Sequence, residues 1–531
     1  MEDQLRHIWA NVLSLTPEEI GTDDNLFELG GDSVKAILIM AQAAEIGVYF
    51  DVKTLYANPT VAALSKVVGQ SGTTPGSRGS LAEPVSQDRL LRRVRCRVAD
   101  LGITPASVLN AARMRDDQVD FVHMSARGGI GASPTFIYQV QGQGIEEKLR
   151  RAVTVLTLKH PMLRTTFVDV DGEWFQVLLA DASPTLEMRS GPIREYASEA
   201  STRVITAGDS TAHYALVDDR GTTFFSFSVL HCFFDGFSRT LVEHDLVDVL
   251  ENPEAFAEQQ AERLWYGDLA RRLDTGLDDA AAAAFWQRYL EGSQLETIYP
   301  CRGELGTVPM RRLDNSLYAT LSMDVLQPRG RRFHLATAIT TAWALALMHR
   351  SGCSDVTFTL LTLGRLYPYE AIDRLVGLLV KDRPFRLQVQ DRTRSVESVM
   401  TGVQEDLVSA GEYEHGPRWP GKPRVQSYVN IKIGGSTMAP TVVDGLELSP
   451  RRDLERWESE TQYAVYLEMK PVAEGSCFEM RYHSSLLDDT QAGALLQQFV
   501  ALLERIGGSS EAGTVADLLD GPSGPGPSSL H

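Results

Sequence analysis

The 531-residue sequence predicts a small all-helical domain followed by a larger α/β domain built as two units. Three observations lead there. Residues 1–70 carry apolar side chains at helical spacing, residues 71–88 are rich in Gly, Ser, Thr and Pro, and residues 89–508 alternate helical with strand-like patterns. A chain of this length also exceeds one hydrophobic core and fits two to four folding units.

In the first domain Leu5, Ile8, Trp9, Val12 and Leu13 form the stripe of an opening helix that ends near Thr16-Pro17. Asp32 is the expected N-cap of a second helix bearing Ile37, Leu38, Met40 and Ala41. A short turn near 52–56 and a helix opened by Pro59-Thr60 bring the count to four. Ten acids against four bases give this domain an acidic surface that can steer toward basic patches on partners. Ser33 stands in the first turn of the second helix, behind two glycines. It is either a capping serine or a site where a phosphate ester meets free backbone N–H groups and the positive end of the helix dipole. Residues 71–88 read as a flexible linker that spans roughly 60 Å when fully extended.

The bulk properties exclude several classes. A net charge of −19 argues against a nucleic-acid surface. No apolar run is long enough to cross a bilayer, and the acidic N-terminus lacks the layout of a signal peptide. The five cysteines are scattered without a C-x-x-C pair, so neither a disulfide framework nor a zinc site is indicated. A reducing, cytoplasmic compartment is the simple expectation, with no metal, no membrane and no nucleic acid.

In the larger domain, residues 222–230 read as a buried strand whose alternation puts Phe225, Phe227, Val229 and His231 on one face. Past Asp235-Gly236 the period becomes helical, with Ser238 as the expected N-cap, the stripe Val242, Leu246, Val249 and Leu250, and Pro253 as the stop. An imidazole is thereby placed at a strand-to-helix junction with a carboxylate four residues on. His231 is either a core histidine or a group whose pKa suits proton transfer near neutrality, with Asp235 orienting or pairing. Further helices are expected at 145–158, 280–290, 334–349 and 486–506. Strands are expected at 174–179, 356–363, 427–431 (holding Asn430) and 461–467, and the tail 509–531 is expected to be disordered.

Three stretches carry a family resemblance. Asp24-Asn25-Leu26-Phe27-Glu28-Leu29-Gly30-Gly31-Asp32-Ser33 resembles the D-x-F-F-x-LGGDS motif of peptidyl carrier (thiolation) domains, with Leu26 for the first Phe. His231, Asp235 and Gly236 resemble the HHxxxDG signature of condensation domains of nonribosomal peptide synthetases, with Leu230 replacing the first His. Lys159-His160-Pro161-Met162-Leu163-Arg164-Thr165-Thr166-Phe167 is similar to the family's RHExLRTxF, with Arg164 at its arginine, although a structural ion pair explains that residue equally well. Arg365 fits the arginine of an S-G-R strand end. Residues 372–386 partly match IGxFVNTxPLR, with Lys381-Asp382 where Asn-Thr is usual.

The resemblance implies a four-helix carrier domain at 1–70 and two lobes resembling chloramphenicol acetyltransferase, at 89–262 and 263–508, forming a V with a central tunnel. It implies 4′-phosphopantetheine on Ser33, and His231, Asp235 and Gly236 at the catalytic centre. His231 would act as base or positioning group, Asp235 would hold the loop by an ion pair, and the N–H near Gly236 would face the oxyanion. Arg164, Arg365, Leu230 and Asn430 would line or brace the tunnel. Implied partners are upstream adenylation and condensation modules, a phosphopantetheinyl transferase and a peptidyl thioester, with the chain itself a monomer. The carrier-first order resembles the terminal thiolation–condensation pair of fungal synthetases, which releases its peptide by ring closure. Intermolecular condensation with an amine or alcohol, or a degenerate fold that only docks partners, are the alternatives.

Overall fold

The computed structural model describes residues 1–70, 84–129, 131–180, 183–254, 264–293, 313–326, 333–367, 369, 371–416, 427–432, 438–455, 461, 463–472, 475–508 and 513–520. The helices Glu2–Leu13, Ser33–Glu45, Val52–Ala57 and Val61–Gln70 form the small domain around Leu5, Trp9, Leu26, Ile39, Leu55 and Leu64, all fully buried. Asp32 caps the second helix, its carboxylate accepting the Val34 and Lys35 N–H groups at 2.9 Å each.

The linker ends earlier than its composition implied. The helix Pro84–Asp100 occupies residues 84–88, because Pro84 suits a first helical turn and Val94 and Val98 anchor the same helix on Val108 and Phe175. Residues 71–83 lie outside the described residues.

The first lobe holds a small antiparallel sheet in the order Val108–Arg113, Glu173–Leu179, Thr165–Val170. Its main sheet runs Thr441–Val443, Leu446–Pro450, Thr135–Gly142, Thr222–Val229, Ala212–Asp219, Leu186–Ser190. Two of these six strands come from the part of the chain that sequence order gave to the second lobe, so the boundary at 262/263 is not the spatial one. A buried polar network fastens this crossing hairpin. Glu243 accepts from Tyr138 Oη at 2.6 Å, Arg239 Nε at 2.8 Å and the Met438 N–H at 3.0 Å, while Arg239 also pairs with Glu455 at 2.7 Å.

The second lobe's sheet runs Lys381–Gln388, Asp355–Thr362, Ser427–Ile431, Val465–Val472, Gly475–Tyr482, Asn315–Ser322. The helices Leu335–Ser351 and Asp489–Gly508 cover it, with Trp343 edge-on to Phe499 at 5.6 Å. The tail also departs from expectation. Val515–Asp520 is a helix, because Val515, Leu518 and Leu519 share one face and bury against the second-lobe core, and Arg505 ties down the carbonyls of Asp517 and Leu518. The expected disorder of 521–531 falls outside the described residues.

Candidate active site

The strand Thr222–Val229 stops one residue before Leu230, and His231–Phe233 turns as a single 3₁₀ turn into the helix Gly236–Glu251. Leu230 is wholly inside the first-lobe core, and its N–H donates to the Thr211 carbonyl at 2.8 Å. The side chain that replaces the first motif histidine is therefore packing material. Asp235, not Ser238, caps the helix, its Oδ1 accepting the Ser238 N–H at 2.7 Å. Ser238 instead bridges to the other lobe: its hydroxyl donates to the Gly377 carbonyl at 2.9 Å and accepts the Gly377 N–H at 3.0 Å.

The rest of the Asp235 carboxylate is used the same way. Oδ2 accepts the Leu379 and Val380 N–H groups at 3.0 and 3.3 Å, and Oδ1 faces Arg365 Nη2 at 3.4 Å. Arg365 is fully buried, donating to the carbonyls of Ile372 and Leu375 at 2.5 and 2.9 Å and lying 4.1 Å over the Phe237 ring. Burial pulls its pKa down and the Asp235 charge opposes that. The strand-to-helix turn of the first lobe is thus bonded to residues 372–380 of the second.

The imidazole lies beside this anchoring, on the turn that Asp235 holds. His231 is half-buried and its ring stacks on Phe121, 4.3 Å between centroids and 10° between planes. Nδ1 makes no hydrogen bond among the described residues. Burial holds the ring's pKa below its ordinary 6.5, against the backbone at His231 and the charges of Asp235 and Asp382, so it is neutral at pH 7. Gly236 is exposed at the start of its helix, and a Cβ added there would meet nothing within 4 Å. Open space and the start of a helix therefore adjoin the imidazole's turn.

Phe121 belongs to the helix Asp116–Ala126, which sequence reading did not single out. The same helix sends Gln118 to the Cys232 carbonyl at 2.9 Å and Asp117 to Lys381. The Lys381-Asp382 departure was the available signal: Lys381 closes the lobe interface, and Asp382 accepts Tyr428 Oη at 2.6 Å. Arg164 is fastened to the Leu179 carbonyl, and Asn430 donates to Tyr466 Oη and Glu468 at 3.1 Å each.

The carrier domain sits on the second lobe beside this anchor. His334 packs on Phe27, 3.9 Å between ring centroids, and on Tyr56, stacked at 4.4 Å. Ile37, one turn after Ser33, is buried in the core cluster that includes Ile372 and Leu375, and the helix Ser33–Glu45 packs on the turn Ile372–Arg374. Lys53 pairs with Glu412 at 3.0 Å on the surface. The local structure fits a phosphate ester on Ser33. Gly30 takes a left-handed φ of +89°, and Gly31 passes so close to Leu26 that a Cβ would lie 2.6 Å from its carbonyl oxygen, so the loop delivers residue 33 to a helix N-terminus.

Comparison with known proteins agrees with this geometry. Residues 3–68 match the phosphopantetheine attachment site family, and residues 119–418 match the condensation domain family. Nonribosomal peptide synthetase 8 of Gibberella moniliformis is 30% identical over 98% of this chain and 99% of its own length. Nonribosomal peptide synthetase ALT12 of Alternaria alternata is 27% identical over 98% and 99%. The crystal structure of holo T3CT shares the fold, with a TM-score of 0.61 at 18% identity over 82% of this chain and 99% of that one. The condensation domain from the monacolin K polyketide synthase MokA does so at 0.60 and 15%, over 77% and 100%. The chain belongs to the condensation-domain family of nonribosomal peptide synthetases, joined to a carrier domain whose cofactor is covalent 4′-phosphopantetheine.

Proposed function

We propose that this protein releases a peptide held as a thioester on Ser33 by intramolecular attack of the peptide's own amine or hydroxyl, giving a ring. The observation that carries the reading is the half-buried, neutral His231, stacked on Phe121 beside the open Gly236 helix start, on the same lobe-to-lobe anchor that seats the carrier. The pantetheine thiol supplies the activated acyl group. His231 orients the attacking atom and accepts its proton, help worth roughly two to four orders of magnitude. Asp235 and Arg365 hold that imidazole's turn rigid, and the exposed Gly236 N–H faces the developing oxyanion. Domains of this family imply upstream modules that build and load the peptide, and a phosphopantetheinyl transferase that modifies Ser33.

The test loads Ser33 with a synthetic peptidyl-pantetheine and identifies the product by mass spectrometry. A cyclic product, one water lighter than the free acid, supports the reading. A product that appears only with an added nucleophile supports intermolecular condensation instead, and a persistent thioester supports a docking platform.

A further inference from the structure

Val380 and Lys381, where the strand Lys381–Gln388 begins, bond two parts of the first lobe that adjoin His231. The Val380 N–H donates to the Asp235 carboxylate at 3.3 Å and so holds the turn that follows the imidazole. Lys381 Nζ donates to the Asp117 carboxylate, on the helix whose Phe121 ring stacks on His231. Lys381 stands where the family stretch has Asn, so the second bond is made by a residue that departs from the pattern.

The helix Asp116–Ala126 carries that bond to the imidazole. Asp117 and Phe121 are four residues apart and share one helix face, so a bond to Asp117 sets the rotation of the face that bears the Phe121 ring. Gln118, the next residue, is fully buried and donates to the Cys232 carbonyl at 2.9 Å. The helix thereby grips the residue after His231 while Phe121 covers the imidazole, 4.3 Å between centroids. Arg115, just before the helix, tethers its start to Asp274 at 2.6 Å and to the His415 carbonyl at 2.7 Å. Lys381 is buried, and a buried ammonium needs its carboxylate. Burial alone would raise the Asp117 pKa, but Lys381, Arg115 and Arg383 hold it below its ordinary value, so Asp117 is ionised at neutral pH.

We propose that the Lys381–Asp117 pair positions His231: bonded across the lobe interface, it turns Phe121 onto the imidazole, so that the second lobe sets the orientation of a base carried by the first. This rests on the release reading above, in which His231 moves the proton. Lys381 acts through Phe121 and is a positioning residue. Its loss lets the helix rotate and the imidazole drift from the attacking atom, and displacements of about 1 Å are enough to slow a reaction of this kind severely.

The test uses the full chain loaded on Ser33 with one peptidyl-pantetheine. Its histidines are isotope-labelled, and the His231 ring signal is identified by its loss in His231→Ala. Lys381→Met removes the charge at similar length, Lys381→Arg keeps it, and Phe121→Leu removes the stacked ring. The inference expects Lys381→Met to slow single-turnover release about tenfold or more and to move the His231 signal toward its position in Phe121→Leu. Lys381→Arg should retain both the rate and the signal. In the Phe121→Leu background, Lys381→Met should slow release by less than about twofold, because the ring through which it acts is gone. A His231 signal that stays in place, or an equal loss of release in both backgrounds, overturns the inference even where the melting temperature falls. Should Lys381→Met not fold, Asp117→Asn, which keeps an oxygen for Lys381, is read in the same way. Failure here with an inert His231→Ala variant leaves the release reading standing. A fully active His231→Ala variant defeats that reading, and the His231 signal still decides whether the pair positions the ring.

Discussion

Arg365 Nη2 stands 3.4 Å from Asp235 Oδ1, with both side chains wholly out of solvent, so the pair links the two lobes directly behind His231. Removing one member leaves a buried charge uncompensated. Asp235→Ala is expected to destabilise the larger domain by about 3–5 kcal/mol, and Arg365→Met in the same chain should recover part of that. Thermal melting of the single and double variants checks it. Additive losses would show that the two groups act independently.

Leu230→His restores the two-histidine signature on paper. Leu230 is fully buried, so the added imidazole enters an apolar wall without a partner. A loss of about 1–3 kcal/mol with no gain in release rate is expected, read from melting and single-turnover assays. A faster enzyme would mean that this position faces substrate.

Burial lowers the His231 pKa below its ordinary 6.5. The ring's titration is therefore displaced below 6.5, and the acid limb of the release profile should lie below that value. Because the folded pKa lies under the unfolded one, the same group withdraws stability as pH falls below 6.5. A rate profile whose acid limb lies at or above 6.5, and is absent in His231→Ala, would contradict this assignment.

Gly236 and Gly31 should respond oppositely to alanine. A Cβ on Gly236 meets nothing within 4 Å, so Gly236→Ala should fold normally and lose activity only by intruding on the substrate. Gly31→Ala collides with Leu26 and should unfold the carrier domain. Circular dichroism and release assays separate the two outcomes.

His334→Ala removes the ring that packs on Phe27 and Tyr56. Aromatic pairs contribute about 0.5–1.5 kcal/mol, so release from Ser33 should slow roughly two- to tenfold. Release from a soluble acyl-pantetheine thioester, which needs no docking, should be unaffected. Equal slowing of both would place His334 outside the docking surface.

Local chemistry was readable in the sequence and long-range pairing was not. The Asp32 cap, the four carrier helices and the His231 junction each depend on residues within a few positions, and motif spacing exposes them. Asp235 was expected to hold the loop by an ion pair and Ser238 to cap the helix, because Ser238 is an equally good local candidate. Only the tertiary position of Gly377, which engages the Ser238 hydroxyl, decides between them. The crossing hairpin Thr441–Pro450 looks like any other strand pair, and its partner strand, Thr135–Gly142, is some 300 residues away in sequence. Phe121 was missed because a lone aromatic on an amphipathic helix carries no mark of the ring it will stack on. Val515, Leu518 and Leu519 were hidden beside a Gly- and Pro-rich end whose composition dominated the reading.

The most direct measurement compares wild type with His231→Ala, both loaded on Ser33 with the same peptidyl-pantetheine, and follows single-turnover release by mass spectrometry. The account predicts equal loading, equal melting temperature and a release rate at least a hundredfold lower in the variant. Release by His231→Ala at the wild-type rate would contradict it.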